Sequence, residues 1–283
     1  MSRKRSEIMG IDVGGTKILL QTFDRKMRVV EEAKVLTQTK KGEKGFTDQL
    51  ICLIERHFNS GIKAIGIAVP GIVNYHTGTL VKAPHLPTRK NYPLKKFIED
   101  RFKRPVYVDN DINAFLWAEK ERPQLKKRRN IVAVMVGTGL GGAILNEGKL
   151  VYGASGYAGE VGHMIINQHG PLKTLEQNTS GSYLAKISGM LKAKGKDANG
   201  PKVKKYILEQ LGIGLSNLHL IFNPEVFVLG GSIYHYYLAK KKKKLERIIA
   251  GKSLDGRSPK IVDAGRNTSV ALGAAMMAME NVS

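Results

Sequence analysis

The segment Val108–Ala114 places two carboxylates and two side-chain amides where a strand meets a helix. The β-branched and aromatic residues before it predict a strand, and the apolar run after it predicts a helix with Asn113 or Asp111 as its N-cap. Asp111 would then be an exposed carboxylate beside a helix N-terminus, which favours its ionised form. An ionised carboxylate next to the amide of Asn110 can hold an alcohol hydroxyl and accept its proton. The alternative for this segment alone is an ordinary capped turn rich in Asp and Asn.

Two glycine-rich turns between strand-like runs have the composition of phosphate-binding loops. The first follows Asp12 and contains Gly14, Gly15, Thr16 and Lys17. Because glycine has no Cβ, the backbone N–H groups of such a turn can approach a phosphate closely. Asp12, at the end of the preceding strand, is placed to hold Mg²⁺ through a water molecule. An ordinary glycine hairpin is the alternative for this turn.

The second turn repeats the first about 125 residues later in the chain, which is about the length of one domain. It follows the strand-like run Ile131–Val136 and includes Thr138 and Gly139. The duplicated strand–turn–strand unit with two glycine turns is better evidence for phosphate binding than either copy alone. Two glycine turns that face each other across a cleft could hold a polyphosphate from both sides.

The elements that must position these turns are predicted from the spacing of apolar residues. The expected helices cover Phe46–Phe58, Pro93–Phe102, Val203–Phe222, a segment carrying Leu238, Leu245, Ile248 and Ile249, and Ser269–Glu280 with Asn267 or Thr268 as its cap. The expected strands include Ile8–Ile11, Ile18–Phe23, Ala64–Val69, Val226–Leu229 and Ile261–Val262. Turns that can present backbone to a ligand follow two of these strands, at Pro70–Gly71 and at Gly230–Ser232.

A second group of polar side chains follows the second glycine turn. Glu160 and His163 lie in the glycine-rich segment Gly156–His163, and Glu176 comes after it. Two carboxylates and one imidazole near such a loop suit hydrogen bonding to sugar hydroxyls. For His163 alone, a loop histidine that is satisfied by its neighbours is the alternative.

Composition limits the class of protein. The chain has 283 residues, a single cysteine (Cys52) and no apolar run of membrane-spanning length. We therefore expect a two-domain cytoplasmic protein with no intrachain disulfide, no cysteine-based metal cluster and no membrane partner. The net charge of +22 could indicate nucleic acid, an acidic surface or a polyanionic substrate. The basic clusters are not interleaved with aromatic residues, which favours a solvated surface and no specific nucleic-acid partner.

The ordered set of motifs resembles that of the ROK family, which comprises sugar kinases and related repressors. The matching pieces are IDVGGTK (Ile11–Lys17), VDNDINA (Val108–Ala114), VGTGLGG (Val136–Gly142), GEVGH (Gly159–His163), LEQNTSG (Leu175–Gly181), NPEVFVLGGS (Asn223–Ser232) and LGAA (Leu272–Ala275). The resemblance implies an α/β, two-lobed actin-like ATPase (ribonuclease-H-like) fold. Its small N-terminal lobe would be 1–113, joined by the C-terminal helix 268–283, and its larger lobe would be 114–267.

The resemblance also implies a role for each matching residue. Asp111 would be the general base, and the sugar would be held by Gly71, Asn110, Asp111, Glu160, His163 and Glu176. The nucleotide would be held by Asp12, Gly14, Gly15, Thr16, Lys17, Thr138, Gly139, Gly230 and Gly231. The implied cofactors are ATP and Mg²⁺, with Asp12 on the metal, and the implied assembly is a homodimer.

Two departures from the family pattern concern the sugar side. Many members carry a Cys-x-Cys-Gly-x-x-Gly-Cys zinc site, whereas Met164–Thr174 contains no cysteine, so no zinc site is expected. Another group must then orient His163. In the segment Ala83–Leu94, His85 and Arg89 replace a polar and an aromatic position of the family's sugar-side loop.

The favoured activity is that of an ATP-dependent hexose kinase that phosphorylates the 6-hydroxyl of glucose. Three alternatives stay open: a polyphosphate-dependent glucokinase, which the positive charge would suit, a kinase of N-acetylmannosamine or N-acetylglucosamine, and a non-catalytic sugar sensor. A DNA-binding repressor is disfavoured, because only nine residues precede Gly10 and the family's repressors carry an N-terminal winged-helix module.

Overall fold

The computed structural model describes residues 6–166, 172–186 and 200–281, which form two compact units. Unit 1 lies within Met1–Lys126, Tyr152–Tyr157 and Asn267–Ser283, and unit 2 lies within Lys127–Val151 and Ala158–Arg266. Unit 1 therefore extends beyond residue 113, where the sequence places the end of the first lobe, and it includes the C-terminal helix. None of the helices within the described ranges has the length and apolar character that crossing a bilayer requires.

Unit 1 is built on a mixed five-stranded sheet. Its strands are β1 (Ile8–Val13), β2 (Lys17–Phe23), β3 (Val29–Leu36), β4 (Ala64–Val69) and β7 (Val106–Asn110), in the spatial order β3-β2-β1-β4-β7. The first three strands pair antiparallel, and β4 and β7 extend the sheet in parallel from β1. A separate two-stranded ribbon is formed by β5 (Ile72–Asn74) and β6 (Thr79–Lys82).

Unit 2 repeats this arrangement. Its strands are β8 (Ile131–Val136), β9 (Leu140–Asn146), β10 (Lys149–Leu150), β11 (Val226–Gly230) and β12 (Lys260–Asp263), in the order β10-β9-β8-β11-β12. The antiparallel hairpin β8–β9 corresponds to β1–β2, and β11 and β12 pair in parallel as β4 and β7 do. The predicted α/β class with a duplicated glycine hairpin is therefore confirmed.

Burial explains why these segments are strands. All six residues of β4 and all five of β11 are buried, as expected for central strands that are covered on both faces. By contrast, β3 lies at a sheet edge and alternates between exposed and half-buried residues. The fully apolar runs Ala64–Val69 and Val226–Leu229, which predicted strands, are thus interior strands of the two sheets.

Helices cover the sheets and largely match the predicted ones. They are α1 (Gly42–His57), α2 (Leu94–Phe102), α3 (Asp111–Lys120), α4 (Leu175–Thr179), α5 (Pro201–Phe222), α6 (Lys242–Ala250) and α7 (Val270–Glu280). The segment that was expected to continue helically from Leu238 to Ile249 is interrupted. It has one π-helical turn, Tyr234–Leu238, and one 3₁₀ turn, Ala239–Lys241, before α6 begins.

Two predicted helix caps are wrong. The N-cap of α3 is Asn110, because its side chain accepts the N–H of Ile112, whereas Asp111 is already helical and Asn113 is buried. The N-cap of α7 is Ser269 rather than Asn267 or Thr268, and its hydroxyl accepts the N–H of Leu272. In both cases the residue just before the helix has extended backbone and an oxygen that reaches the first turn.

The C-terminal helix α7 packs closely on the sheet and on α3 of unit 1. A Cβ placed on Gly66 of β4 would collide with the carbonyl group of Ala274, and one on Gly273 would collide with the carbonyl group of Ala114. Small residues on both sides of the contact therefore allow backbones to meet directly. The motif LGAA is explained by this close approach.

We predict that Gly66→Ala destabilises unit 1 by about 3 kcal/mol, because neither of the two backbones can move without disrupting the sheet or α7. The control is Gly251→Ala, where an added Cβ would come no closer than 3.4 Å to any atom, with an expected change within about 0.5 kcal/mol. Urea unfolding of both variants measures the difference. Equal stabilities would contradict the close packing of α7.

Candidate active site

The first glycine turn, between β1 and β2, is fixed by backbone and side-chain hydrogen bonds. Gly14 N donates to Lys17 O at 2.9 Å, Thr37 N donates to Thr16 O at 2.9 Å, and the Thr37 hydroxyl donates to Gly14 O at 2.6 Å. Within the described ranges, the N–H groups of Gly15 and Thr16 donate to no protein acceptor. Two adjacent N–H groups on a rigid turn are suited to an anion such as a phosphate oxygen.

A cavity of about 460 Å³ lies at this turn and also reaches Asp111. Its lining residues all belong to unit 1 and are Gly14, Gly15, Thr16, Thr39, Pro70, His85 and Asp111. The structure thus brings the predicted base and the first predicted phosphate turn into one cavity. Three lining residues were not predicted as ligands. His85 lies in the segment compared with the family's sugar-side loop and Pro70 in a predicted turn, whereas nothing local in the sequence distinguishes Thr39.

The backbone on both sides of Asp111 is held in place. The Asn110 side chain accepts the N–H of Ile112 at 2.8 Å, and its amide nitrogen donates one hydrogen to Gly71 O at 2.7 Å. Asn110 therefore links the start of α3 to the turn after β4, and its second amide hydrogen can donate to a ligand. Asp111 itself is half-buried at the first position of α3.

Asp109, the residue before this pair, is buried and accepts three hydrogen bonds. They come from Asn110 N at 2.6 Å, Asn113 Nδ2 at 2.9 Å and the Tyr152 hydroxyl at 2.6 Å. Burial raises the pKa of the Asp109 carboxyl despite these donors, and burial next to Asp109 raises the pKa of Tyr152. Sequence reasoning missed the contribution of Tyr152, which lies 43 positions away and carries no local signal.

Asp12 is half-buried in β1, and this burial raises its pKa, while the neighbouring positive charge of Lys17 partly opposes the effect. A single carboxylate of this kind suits Mg²⁺, which keeps most of its water ligands. Among the described residues, no cluster of three or more His, Cys, Asp or Glu side chains could hold a metal ion.

The second glycine turn, in unit 2, is contacted by the segment that contains Glu176. Gly137 N donates to Gly139 O at 2.9 Å, and Gly181 N and Ser182 N donate to the carbonyls of Gly137 and Thr138 at 2.7 and 3.0 Å. One Glu176 oxygen accepts the N–H of Leu140 at 2.7 Å. The predicted sugar ligand Glu176 is therefore fixed directly on the turn that holds Thr138 and Gly139.

The other residues predicted in unit 2 lie on exposed or turn positions. Glu160 Oε2 is 3.4 Å from His163 Nδ1, and both side chains are exposed. Backbone hydrogen bonds join the two sides of the stretch in which the family's zinc cysteines would lie: Leu175 N donates to Met164 O at 2.8 Å, and Ile166 N donates to Lys173 O at 3.2 Å. This backbone bridge connects the His163 segment to the helix that carries Glu176.

The remaining turn, at Gly230 and Gly231, lies at the end of β11. Gly230 pairs in register with Met135 of β8, whose strand leads directly into the second glycine turn. The carboxyl ends of β8 and β11 are thus adjacent in unit 2, and they carry the predicted nucleotide contacts Thr138, Gly139, Gly230 and Gly231. Lys17, the last of the predicted nucleotide contacts, is exposed at the start of β2.

Residues 8–281 match the ROK family, and the chain belongs to this family. It is 31% identical over 260 residues to the xylose repressor of Caldicellulosiruptor bescii, covering 79% of this chain but only 65% of the repressor's length. It is 29% identical over 292 residues to the N-acetyl-D-glucosamine kinase of Aliivibrio fischeri, covering 92% of this chain and 95% of that protein.

The fold is that of a solved family member. A ROK family glucokinase from Streptomyces griseus, in complex with glucose and AMPPNP, matches with a TM-score of 0.75 and 25% identity, covering 96% of this chain and 99% of that one. The two duplicated sheets described above are thus those of the actin-like ATPase fold. The expected family and fold class are both confirmed.

Proposed function

We propose that the protein is a sugar kinase that transfers the γ-phosphoryl group of ATP to a hexose hydroxyl, with the 6-hydroxyl of glucose as the first candidate. The observation that carries this proposal is the cavity shared by Asp111 and the glycine turn Gly14–Thr16. A proton acceptor and phosphate-binding N–H groups are the two components that phosphoryl transfer to an alcohol needs in one place. The names of the kinase relatives support the same reaction.

Asp111 acts as the general base in this proposal. The acceptor hydroxyl gives its proton to the Asp111 carboxylate, its oxygen forms the new bond to the γ-phosphorus, and the bond to the ADP oxygen breaks. The backbone that carries this carboxylate is held at the start of α3, because the neighbouring N–H of Ile112 is bonded to Asn110. Asn110 and the Gly71 backbone would orient the sugar, together with Glu160, His163 and Glu176.

Nucleotide binding is assigned to the two glycine turns. The N–H groups at Gly14, Gly15 and Thr16, with Lys17, would bind phosphate on the unit 1 side, and Thr138 and Gly139 would do so in unit 2. Gly230 and Gly231 would lie against the nucleoside. Asp12 would hold Mg²⁺ through water, and bound Mg²⁺ would neutralise charge on the transferred phosphoryl group.

A second candidate, a non-catalytic sugar-responsive regulator, is favoured by the likeness to the xylose repressor. Retention of Asp111 and the first glycine turn in one cavity argues against it, because a sensor needs no base next to a phosphate-binding turn. A third candidate keeps the kinase chemistry but takes inorganic polyphosphate as donor, which the charge of +22 would suit.

A substrate panel separates these candidates. Purified protein is assayed with glucose, mannose, N-acetylglucosamine and N-acetylmannosamine, each with ATP or polyphosphate and with or without Mg²⁺. We expect sugar phosphate to form with ATP and at least one hexose, and only when Mg²⁺ is present. Binding of a sugar without any phosphate transfer would favour the regulator, and transfer from polyphosphate alone would replace the proposed donor.

We predict that Asp111→Asn lowers kcat by at least about 10²-fold, because the isosteric amide cannot accept the hydroxyl proton. Sugar and nucleotide should still bind, as measured by calorimetry. The matched control is Asp100→Asn, which removes an exposed carboxylate on α2 and should leave turnover unchanged. Substantial turnover in Asp111→Asn would remove the assignment of the base.

A further inference from the structure

Asp109 is a buried carboxylate that the proposed reaction does not use. The residue is only 6% exposed, and both carboxylate oxygens are bonded. Oδ1 accepts from Asn110 N and Asn113 Nδ2, and Oδ2 accepts from the Tyr152 hydroxyl. Buried charge-assisted hydrogen bonds of this kind fix the groups that make them. Asp109 therefore holds the backbone immediately before Asp111.

Tyr152 reaches Asp109 from a short segment that belongs to unit 1 although the chain on both sides of it belongs to unit 2. This segment, Tyr152–Tyr157, is fixed at two points. The Tyr152 ring stacks on Tyr75 with centroids 3.9 Å apart and an interplanar angle of 13°. Gly156 has a φ of +78°, and a Cβ there would lie 2.7 Å from the carbonyl oxygen of Val73 in β5. The Tyr152 hydroxyl is thus held in a defined position.

We propose that Tyr152 is a positioning residue for the general base Asp111, acting through Asp109. The connection is continuous: the Tyr152 hydroxyl bonds Asp109, Asp109 bonds the N–H of Asn110, and Asn110 bonds the N–H of Ile112. Asp111 lies between the last two residues of this connection. The role of Asp111 rests on the proposed kinase function, but the connection itself does not.

The effect of removing the hydroxyl follows from burial. In Tyr152→Phe the ring can keep its stacking on Tyr75, but one oxygen of a buried carboxylate loses its donor. Asp109 must then take up a proton or move, and either change weakens its hold on Asn110 N. Asp111 would still be present and the glycine turns would be unchanged. The loss of activity should therefore appear in the chemical step rather than in the binding of sugar or ATP.

The kinetic test compares Tyr152→Phe with Tyr157→Phe, which removes a hydroxyl from an exposed ring of the same segment. We expect Tyr152→Phe to lower kcat about tenfold or more while the KM values for sugar and ATP change by less than about twofold. Tyr157→Phe should behave as the unchanged protein does. Unchanged kcat in Tyr152→Phe, or a loss that lies in KM alone, would overturn the proposal.

A double-mutant cycle tests whether Tyr152 acts through Asp109. Asp109→Asn keeps the shape of the side chain but cannot accept all three donors, so it should also lower kcat about tenfold. Adding Tyr152→Phe to Asp109→Asn should then lower kcat by less than about twofold further. If the kcat of the double variant falls by the product of the two single-variant decreases, Tyr152 does not act through Asp109. If Tyr152→Phe does not fold, Asp109→Asn tests the part of the connection between Asp109 and Asn110, and an unchanged kcat in that variant overturns the proposal.

Amide hydrogen exchange provides a readout that does not depend on activity. Exchange of the N–H groups of Asn110 and Ile112 should be about tenfold or more faster in Tyr152→Phe than in Tyr157→Phe. If the protein phosphorylates no sugar in the panel, the proposed function fails, whereas the exchange result still decides whether Tyr152 fixes the turn. Equal exchange in the two variants overturns the positioning role, as does faster exchange with unchanged kcat.

Discussion

The position of the Asp111 backbone depends on a turn of three residues in which the N–H groups on both sides of Asp111 are bonded. Asp109 accepts the N–H of Asn110, and Asn110 accepts the N–H of Ile112 while donating to Gly71 O. A carboxylate on an unsupported loop would sample many directions, and a proton acceptor must lie within hydrogen-bond distance of its donor. These bonds fix the backbone that carries the half-buried Asp111 at the edge of the cavity.

The sheet topology determines why the cavity forms there. In unit 1, β1, β4 and β7 are adjacent and parallel, so their carboxyl ends meet at one edge. The glycine turn follows β1, Pro70 and Gly71 follow β4, and Asp111 follows β7. Ligand sites of open α/β sheets lie at the carboxyl ends of their strands. The same edge in unit 2 carries the second glycine turn and Gly230–Gly231, as duplication of the unit requires.

The sequence predicted the parts of the site that have a local pattern. Glycine turns after buried strands identified Gly14–Thr16, and a polar turn before an apolar helix identified Asp111. Local pattern could not decide which of Asn110, Asp111 and Asn113 caps α3, because any short polar side chain there could serve. The structure shows that Asn110 is the cap, whereas the Asn113 side chain is buried and donates to Asp109.

Contacts between distant segments were not predictable. Tyr152 reaches Asp109, His85 lines the cavity with Asp111, and Glu176 bonds the second glycine turn, each across many residues of sequence. No spacing rule connects such positions, because the fold alone brings them together. The roles assigned to the site residues, Asp111, Glu160 and His163 included, stay predictions.

The most direct test is a crystal structure of the protein with its sugar and a non-hydrolysable ATP analogue. The account predicts that the acceptor hydroxyl oxygen lies about 2.6–3.2 Å from an Asp111 carboxylate oxygen and faces the γ-phosphate. A sugar whose hydroxyls all lie beyond hydrogen-bond reach of Asp111, or whose nearest carboxylate is another residue, would contradict it.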